Sequence, residues 1–445
     1  MRRIHKPGDL AELEALMAAR EPEVLALLPE DGRFERLRRE AAALLRRYPD
    51  PAGRPALFGV LVGVKDILNV DGFSTRAGSS LPPELFAGPE ASIVTVLKAA
   101  GALILGKTVT TQFAYFAPGP TRHPLSARLG EVRTPGGSSS GSAAAVAAGF
   151  APLALGTQTI GSLIRPAAFC GVVGFKPSFG RAPIDGVLPL SPSADTVGWF
   201  ATSVEDVARA APVLLSEWRV AAGIVGKERR ADLPASSSSF LSGSPAAVLG
   251  IPEGPYMERA SDEGLGHFRA VVRRLEAAGC VVRPVPAMPN YDDIHRRHNA
   301  LVAYEAARTH AAWFKLYHAA YHPKTVELIL RGQAIDDKEY RNALDGRERL
   351  RDELETLMTR HGIDLWICPA AVGPALRGLE STGDPVMSLP WTHAGMPALS
   401  LPAGTDAAGW PMGLQVVGRF GEDEEMLALA ARLPFGNTYV ESSFA

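Results

Sequence analysis

Residues 134–180 constrain this chain more than any other stretch: they read TPGGSSSGSAAAVAAGFAPLALGTQTIGSLIRPAAFCGVVGFKPSFG. Two serine clusters, Ser138 to Ser142 and Ser162, lie against glycine and are set apart by an alanine-rich segment and a short apolar run. Glycine lets backbone N–H groups come close to a ligand and leaves a neighbouring hydroxyl clear of bulk. A fold that puts the two clusters on either side of a helix and a strand makes them face each other across a small cleft. The flanking pattern supplies the sheet behind such a cleft. LFGVLVGVKDILNV, at 57–70, is apolar, β-branched and broken by glycine, which reads as a strand with Lys65 at its end. A helix over 91–100 leads through Gly101 into a strand ALILG, and the same alternation recurs through 150–200. This is an α/β pattern, a sheet protected by helices.

The remaining elements fit around that core. Residues 9–47 carry apolar positions at helical spacing (Leu10, Leu13, Leu16, Met17, then Val24, Leu25 and Leu28), with a further helix from Arg33 to Tyr48. Residues 227–245, rich in charge, serine and proline, read as a surface loop. A strand AVLGIP, a helix at 261–278, a strand at 280–285 and long helical stretches at 291–318 and 336–361 follow. Strands DLWICPA, MPALSLPAG and MGLQVVG close the pattern within 364–418.

Composition narrows the function classes. A formal net charge of -2 gives no basic balance for nucleic acid or anionic lipid. Three cysteines, Cys170, Cys280 and Cys368, have no paired spacing, so neither a disulfide framework nor a zinc site is expected. No run approaches the roughly 18 apolar residues that would span a bilayer, and the expected location is the cytoplasm.

Two motif matches fail on context. GALILGKT at 101–108 fits the phosphate-cradling loop, but that loop needs a strand before its first glycine and a helix after its threonine, and here the order is reversed. Gly137 to Gly141 fits G-x-S-x-G with Ser139 as nucleophile, yet polar, proline-broken RLGEVRTPG stands where the elbow needs an apolar strand. His393 is the late histidine such a triad would use, and nothing around it separates it from a structural histidine. What remains is a set of serines with no histidine beside them, and serine chemistry needs a base. A lysine serves if burial leaves its amine neutral. Lys65 is the best placed; the competing reading pairs it with Asp66 or another acid at the strand end.

The run GGSSSGSAAAVAAG followed by LALGTQTIGSLIRPAAFCGVVGFKPSFGR resembles the amidase signature family. The likeness extends upstream to LFGVLVGVKDILNVDGFSTRAGS and GALILGKT, and downstream to LPLSPSADTVG, WTHAGMPALSLPAG and GWPMGLQVVG. It implies one α/β domain over 1–445, a large mixed, twisted sheet with helices on both faces. Residues 1–55 would be N-terminal helices, 56–215 and 364–430 the signature core, and 216–360 a variable region that lines the pocket together with Trp391 to Met396. The resemblance also implies a Ser-cis-Ser-Lys triad without metal or organic cofactor: Ser162 as nucleophile, Ser138 as bridge after a cis Gly137–Ser138 bond, and Lys65 as base. Backbone N–H groups of Thr159, Ile160, Gly161 and Ser162 would form the oxyanion hole. The implied partner is a small-molecule amide, and a homodimer is the implied assembly.

Departures from the family's common turn, G-T-D-T-G-G-S-I-R, bear on substrate. Gln158 replaces an acid, Ile160 replaces a glycine, and Arg165 falls three residues after the nucleophile rather than two. Gly137, Gln158 and Arg165 are the expected substrate contacts, and Arg165 is suited to a carboxylate. The competing reading has Arg165 brace the loop against an acid such as Asp195. His123 stands where asparagine is usual. A free-standing hydrolase of a small amide, with a carboxylate-bearing or urea-like substrate, is expected. The alternatives are the glutaminase component of a tRNA-dependent amidotransferase and a non-catalytic binding relative.

Overall fold

The computed structural model describes residues 1, 3–219 and 247–435, so the loop expected at 227–245 lies outside the described residues. One mixed sheet of ten strands runs through these residues. In chain order they are β1 (Leu61–Lys65), β2 (Leu103–Thr108), β3 (Leu153–Gln158), β4 (Val173–Lys176), β5 (Thr196–Ala201), β6 (Val248–Glu253), β7 (Val281–Pro286), β8 (Leu365–Pro369), β9 (Ala398–Thr405) and β10 (Pro411–Val417). Their spatial order is β2-β1-β3-β5-β4-β9-β10-β8-β6-β7. β1 pairs in parallel with β2 and β3, β6 in parallel with β7 and β8, and the central strands are antiparallel.

Parallel strands covered on both faces read as continuous apolar runs, and every residue of β1, β2 and β3 is buried. Lys65 ends β1 and Gln158 ends β3, so both side chains reach the same edge of the sheet. The space beyond the carboxyl ends of parallel strands is where α/β sheets generally bind ligands.

The alanine-rich segment becomes the helix Ser140–Ala147, all eight residues of which are buried. Small side chains permit this, and Ser142 bonds its hydroxyl to the Leu155 carbonyl at 2.8 Å and to Thr108 Oγ1 at 2.7 Å. The helix Ile164–Cys170 is equally buried. N-terminal helices Leu10–Val24 and Arg33–Arg47 pack Leu10, Leu13, Met17 and Leu37 onto Leu61, Leu103 and Leu105.

The later helical stretches resolve into Tyr291–Thr309, Ala311–Tyr317 and Asp337–His361. The helix Pro323–Gln333 was not expected from the sequence. It starts with proline, whose fixed φ suits the first turn, and the His322 side chain accepts from Lys324 N. Among the described residues no helix is long and apolar enough to cross a membrane.

Candidate active site

Lys65 is fully buried, and its Nζ lies 2.7 Å from Ser138 Oγ, 2.9 Å from Ser139 Oγ and 2.8 Å from Thr157 Oγ1. The expected alternative, an ion pair with Asp66, is not formed; Lys107 takes Asp66 instead, at 2.8 Å. Burial holds the Lys65 amine well below its ordinary range, and the charge of Asp195 opposes the shift without abolishing it. A neutral amine has two N–H donors and one lone pair. Ser139 donates its own proton to the Thr157 carbonyl, at 3.1 Å, so it can only accept from Lys65. The lone pair therefore points to the hydroxyl of Ser138 or Thr157. β3 can bring Thr157 and Ser139 this close because residue 156 is glycine: a Cβ there would meet Ser139 Oγ at 2.9 Å. Ser139 and Thr157 were not anticipated as partners of the lysine. The G-x-S-x-G match offers Ser139 as a nucleophile, whereas its hydroxyl is enclosed behind Ser138.

The Gly137–Ser138 peptide is cis, as expected. Ser138 and Ser162 line one pocket, together with Ala114, Tyr115, Phe116, Thr159, Ile160, Arg165, Leu190 and Pro385. No described residue of 216–360 and none of Trp391–Met396 is in this lining, but His298 and Thr392, from those segments, bond the Thr159 and Ile160 carbonyls of its wall. Tyr115, Phe116 and Pro385 carried no motif signal, whereas Leu190 lies in the family-like segment LPLSPSADTVG.

The turn from Thr159 to Ser162 has ordinary negative φ at Ile160, which is not among the residues of positive φ. N–H groups of Ile160, Gly161 and Ser162 donate to no protein acceptor among the described residues, whereas the next two, Leu163 and Ile164, donate to Gln158 Oε1 at 2.8 and 3.0 Å. Gly161 is needed for space, since a Cβ would meet Pro385 Cβ at 2.8 Å.

Of the three expected substrate contacts, Gln158 departs most from expectation. Its Oε1 caps the helix Ile164–Cys170 and its Nε2 donates to Thr392 Oγ1 at 2.9 Å, so the side chain braces the turn and is absent from the pocket lining. Gly137 presents its carbonyl to Arg165 Nη2 at 2.7 Å. Arg165 also donates to Thr382 Oγ1, at 3.2 Å, while its Nε and Nη1 have no protein partner although the side chain is buried. Desolvation lowers this guanidinium to about 10, opposed by the charge of Asp384. The brace against Asp195 is not made: Asp195 accepts from Thr159 Oγ1 at 2.5 Å and from the N–H groups of Leu190 and Ser191. Burial raises Asp195 to about 6.

The histidines are structural at their first contacts. His123 bonds the Phe169 carbonyl through Nε2 at 2.7 Å and accepts from Leu125 N through Nδ1, and burial holds it down at about 4. His393 lies beside His298, not beside any serine of the pocket.

Known proteins fit this architecture. The sequence profile of the amidase family matches residues 32–427. The chain is 34% identical to a glutamyl-tRNA(Gln) amidotransferase chain of Thermus thermophilus, across 95% of this chain and 93% of that one. It is 31% identical to mandelamide hydrolase of Pseudomonas putida, across 88% and 82%. Among solved structures it superposes on an amidase with a TM-score of 0.80 at 33% identity, covering 96% of both chains. It also superposes on a peptide amidase bound to the competitive inhibitor chymostatin, with a TM-score of 0.76 at 26% identity, covering 98% and 96%. With the mixed sheet, the two serine clusters and the buried lysine in place, the chain belongs to the amidase signature family and is an amide-hydrolysing enzyme.

Proposed function

We propose that this enzyme cleaves the C–N bond of a small amide through an acyl-enzyme on Ser162, with Ser138 and Lys65 as the proton relay. The observation that carries the reading is the desolvated Lys65 amine, 2.7 Å from a serine hydroxyl that shares the pocket with Ser162. Ser162 Oγ attacks the amide carbon and passes its proton to Ser138, which passes its own to Lys65. The carbonyl oxygen takes up the electron pair and is held by N–H groups of the Ile160–Ser162 turn, each worth roughly 3 kcal/mol. Protonated Lys65 returns a proton through Ser138 to the leaving nitrogen as the C–N bond breaks. Water then attacks the ester, loses its proton through the same relay and restores Ser162.

Arg165 supports an acid-bearing substrate. A buried guanidinium with two unpartnered nitrogens at the pocket wall is a costly arrangement without a ligand and a well-shaped one for a carboxylate.

Ammonia release from paired small amides, with and without a free carboxylate, tests both parts, with Ser162→Ala as control. Preference for the acid-bearing members, abolished in the control, is the expected result. Arg165→Met should then raise KM for the acid by about 10–100-fold more than for the neutral amide, the range of one or two charge-assisted hydrogen bonds, and any loss shared by both amides measures the contact to the Gly137 carbonyl. Turnover of neutral amides alone would remove the carboxylate reading. A second reading follows from the likeness to glutamyl-tRNA(Gln) amidotransferase chains: silence across the panel, relieved only by partner proteins, would favour it.

A further inference from the structure

We infer that His298, backed by His393, is a positioning residue that orients the Ile160 N–H for the oxyanion. The inference rests on the proposed acyl-enzyme reading. It begins from three consecutive trans peptide units in the turn. In a trans peptide the C=O of one residue and the N–H of the next point in opposite directions, so holding the carbonyl aims the amide. The Thr159 carbonyl accepts from His298 Nε2 at 3.1 Å, the Ile160 carbonyl from Thr392 Oγ1 at 2.7 Å, and the Gly161 carbonyl from Arg165 N at 3.0 Å. Each of the three free N–H groups, on Ile160, Gly161 and Ser162, thus belongs to a peptide unit whose carbonyl is anchored. Two anchors come from the turn's own helix and from the C-terminal core. The third comes from the helix Tyr291–Thr309, where the sequence offered no motif.

The tautomer follows by elimination. Burial, with Arg347 nearby, holds His298 down at about 3, so its ring is neutral and carries one proton. A carbonyl oxygen only accepts, so that proton is on Nε2 and Nδ1 is bare. His393 Nδ1 stands 3.4 Å from it and supplies the matching N–H, which leaves His393 Nε2 bare; that atom has no hydrogen-bond partner. The Arg347 Nε donates to the His393 carbonyl at 3.1 Å and fixes the far end of the chain of contacts. Thr159 is held from its other side by Asp195, so its peptide unit cannot follow a displaced histidine freely.

The test compares two unbranched replacements of similar size: His298→Gln keeps a donor near the Nε2 position and His298→Met does not. On the best amide of the panel, His298→Met should lower kcat by about 10–100-fold with KM changed less than about two-fold, part of the loss seen when an oxyanion donor is removed. His298→Gln should restore most of kcat. Equal kcat in the wild type and His298→Met, or equal losses in both variants, would overturn the inference. If His298→Met does not fold, the wild type still decides: 15N spectra of histidine-labelled enzyme, assigned by the signal lost in His298→Gln, should show the Nε2–H tautomer. An Nδ1–H tautomer or an imidazolium would overturn it. Wild-type enzyme lacking Ser162-dependent turnover would refute the acyl-enzyme reading instead, a separate outcome.

Discussion

The two sides of the pocket are built differently. On the base side, Lys65 is enclosed by three hydroxyls, from Ser138, Ser139 and Thr157, all within the two stretches that carry the family likeness. On the proposed oxyanion side the groups are backbone N–H donors, and two of their anchors come from far away: His298 is 139 residues from Thr159, and Thr392 is 232 residues from Ile160. A side chain can act as base where its strand ends. A backbone donor acts only if the rest of the fold holds its peptide plane, so the oxyanion side depends on tertiary packing in a way the base side does not.

The largest effect expected on this contrast is at Lys65. Lys65→Met removes the base of the proposed relay, and turnover should fall on the order of 10⁴-fold, comparable to losses on removing a member of a catalytic triad. The same variant reports on burial. Burial depresses the pKa of native Lys65 well below the 10.5 of a free lysine, so between its depressed value and about 10.5 the unfolded chain binds a proton that the native state does not. Stability from this residue therefore rises with pH across that window. Denaturant unfolding of Lys65→Met should show a shallower rise over the same range; an unchanged slope would mean that native Lys65 is charged.

Thr392→Val is the matching change on the other side. It frees the Ile160 carbonyl and strips Gln158 Nε2 of its acceptor. The expected loss is about 10–100-fold in kcat with KM little altered, because the donor it disorders matters most in the transition state. Thr392→Ser should recover much of it. A loss as great as that of Lys65→Met would erase the contrast, since the two sides would then be equally dependent on one side chain.

The same contrast explains what could be read in advance. The strand ending at Lys65, the serine clusters and the helix between them are local: glycine, serine and alanine at those positions dictate close backbone approach and a buried helix whatever surrounds them. The corrections all concern tertiary partners. Gln158 looked like a substrate contact because it stands where the family has an acid, but its amide matches a helix start and a threonine from the far end of the chain. Lys65 was weighed as a partner of Asp66, but the register of β1 against β2 brings Lys107 to that carboxylate instead. His298 sits in an ordinary helical pattern with no local signal. Nothing in its sequence neighbourhood says which carbonyl it will meet.

The smallest and most diagnostic effect is expected at Ser139, where the base side is tuned rather than built. Ser139 Oγ accepts from Lys65 at 2.9 Å, and a hydroxyl acceptor stabilises an ammonium more than a neutral amine. Removing it in Ser139→Ala disfavours the protonated form and lowers the Lys65 pKa further. In the proposed relay activity needs the neutral amine, so it is present above that pKa and is lost as pH falls through it. The acid limb of kcat/KM should therefore move to lower pH, by roughly half a unit, given about 0.5–1.5 kcal/mol per hydrogen bond and about 1.4 kcal/mol per unit. The plateau should fall only about three- to ten-fold, since Ser138 and Thr157 still hold the amine. A limb that moves upward would mean that water enters the space left by the hydroxyl and resolvates Lys65. A limb that stays fixed would place the titration on another group, with Asp195, raised to about 6, the next to change.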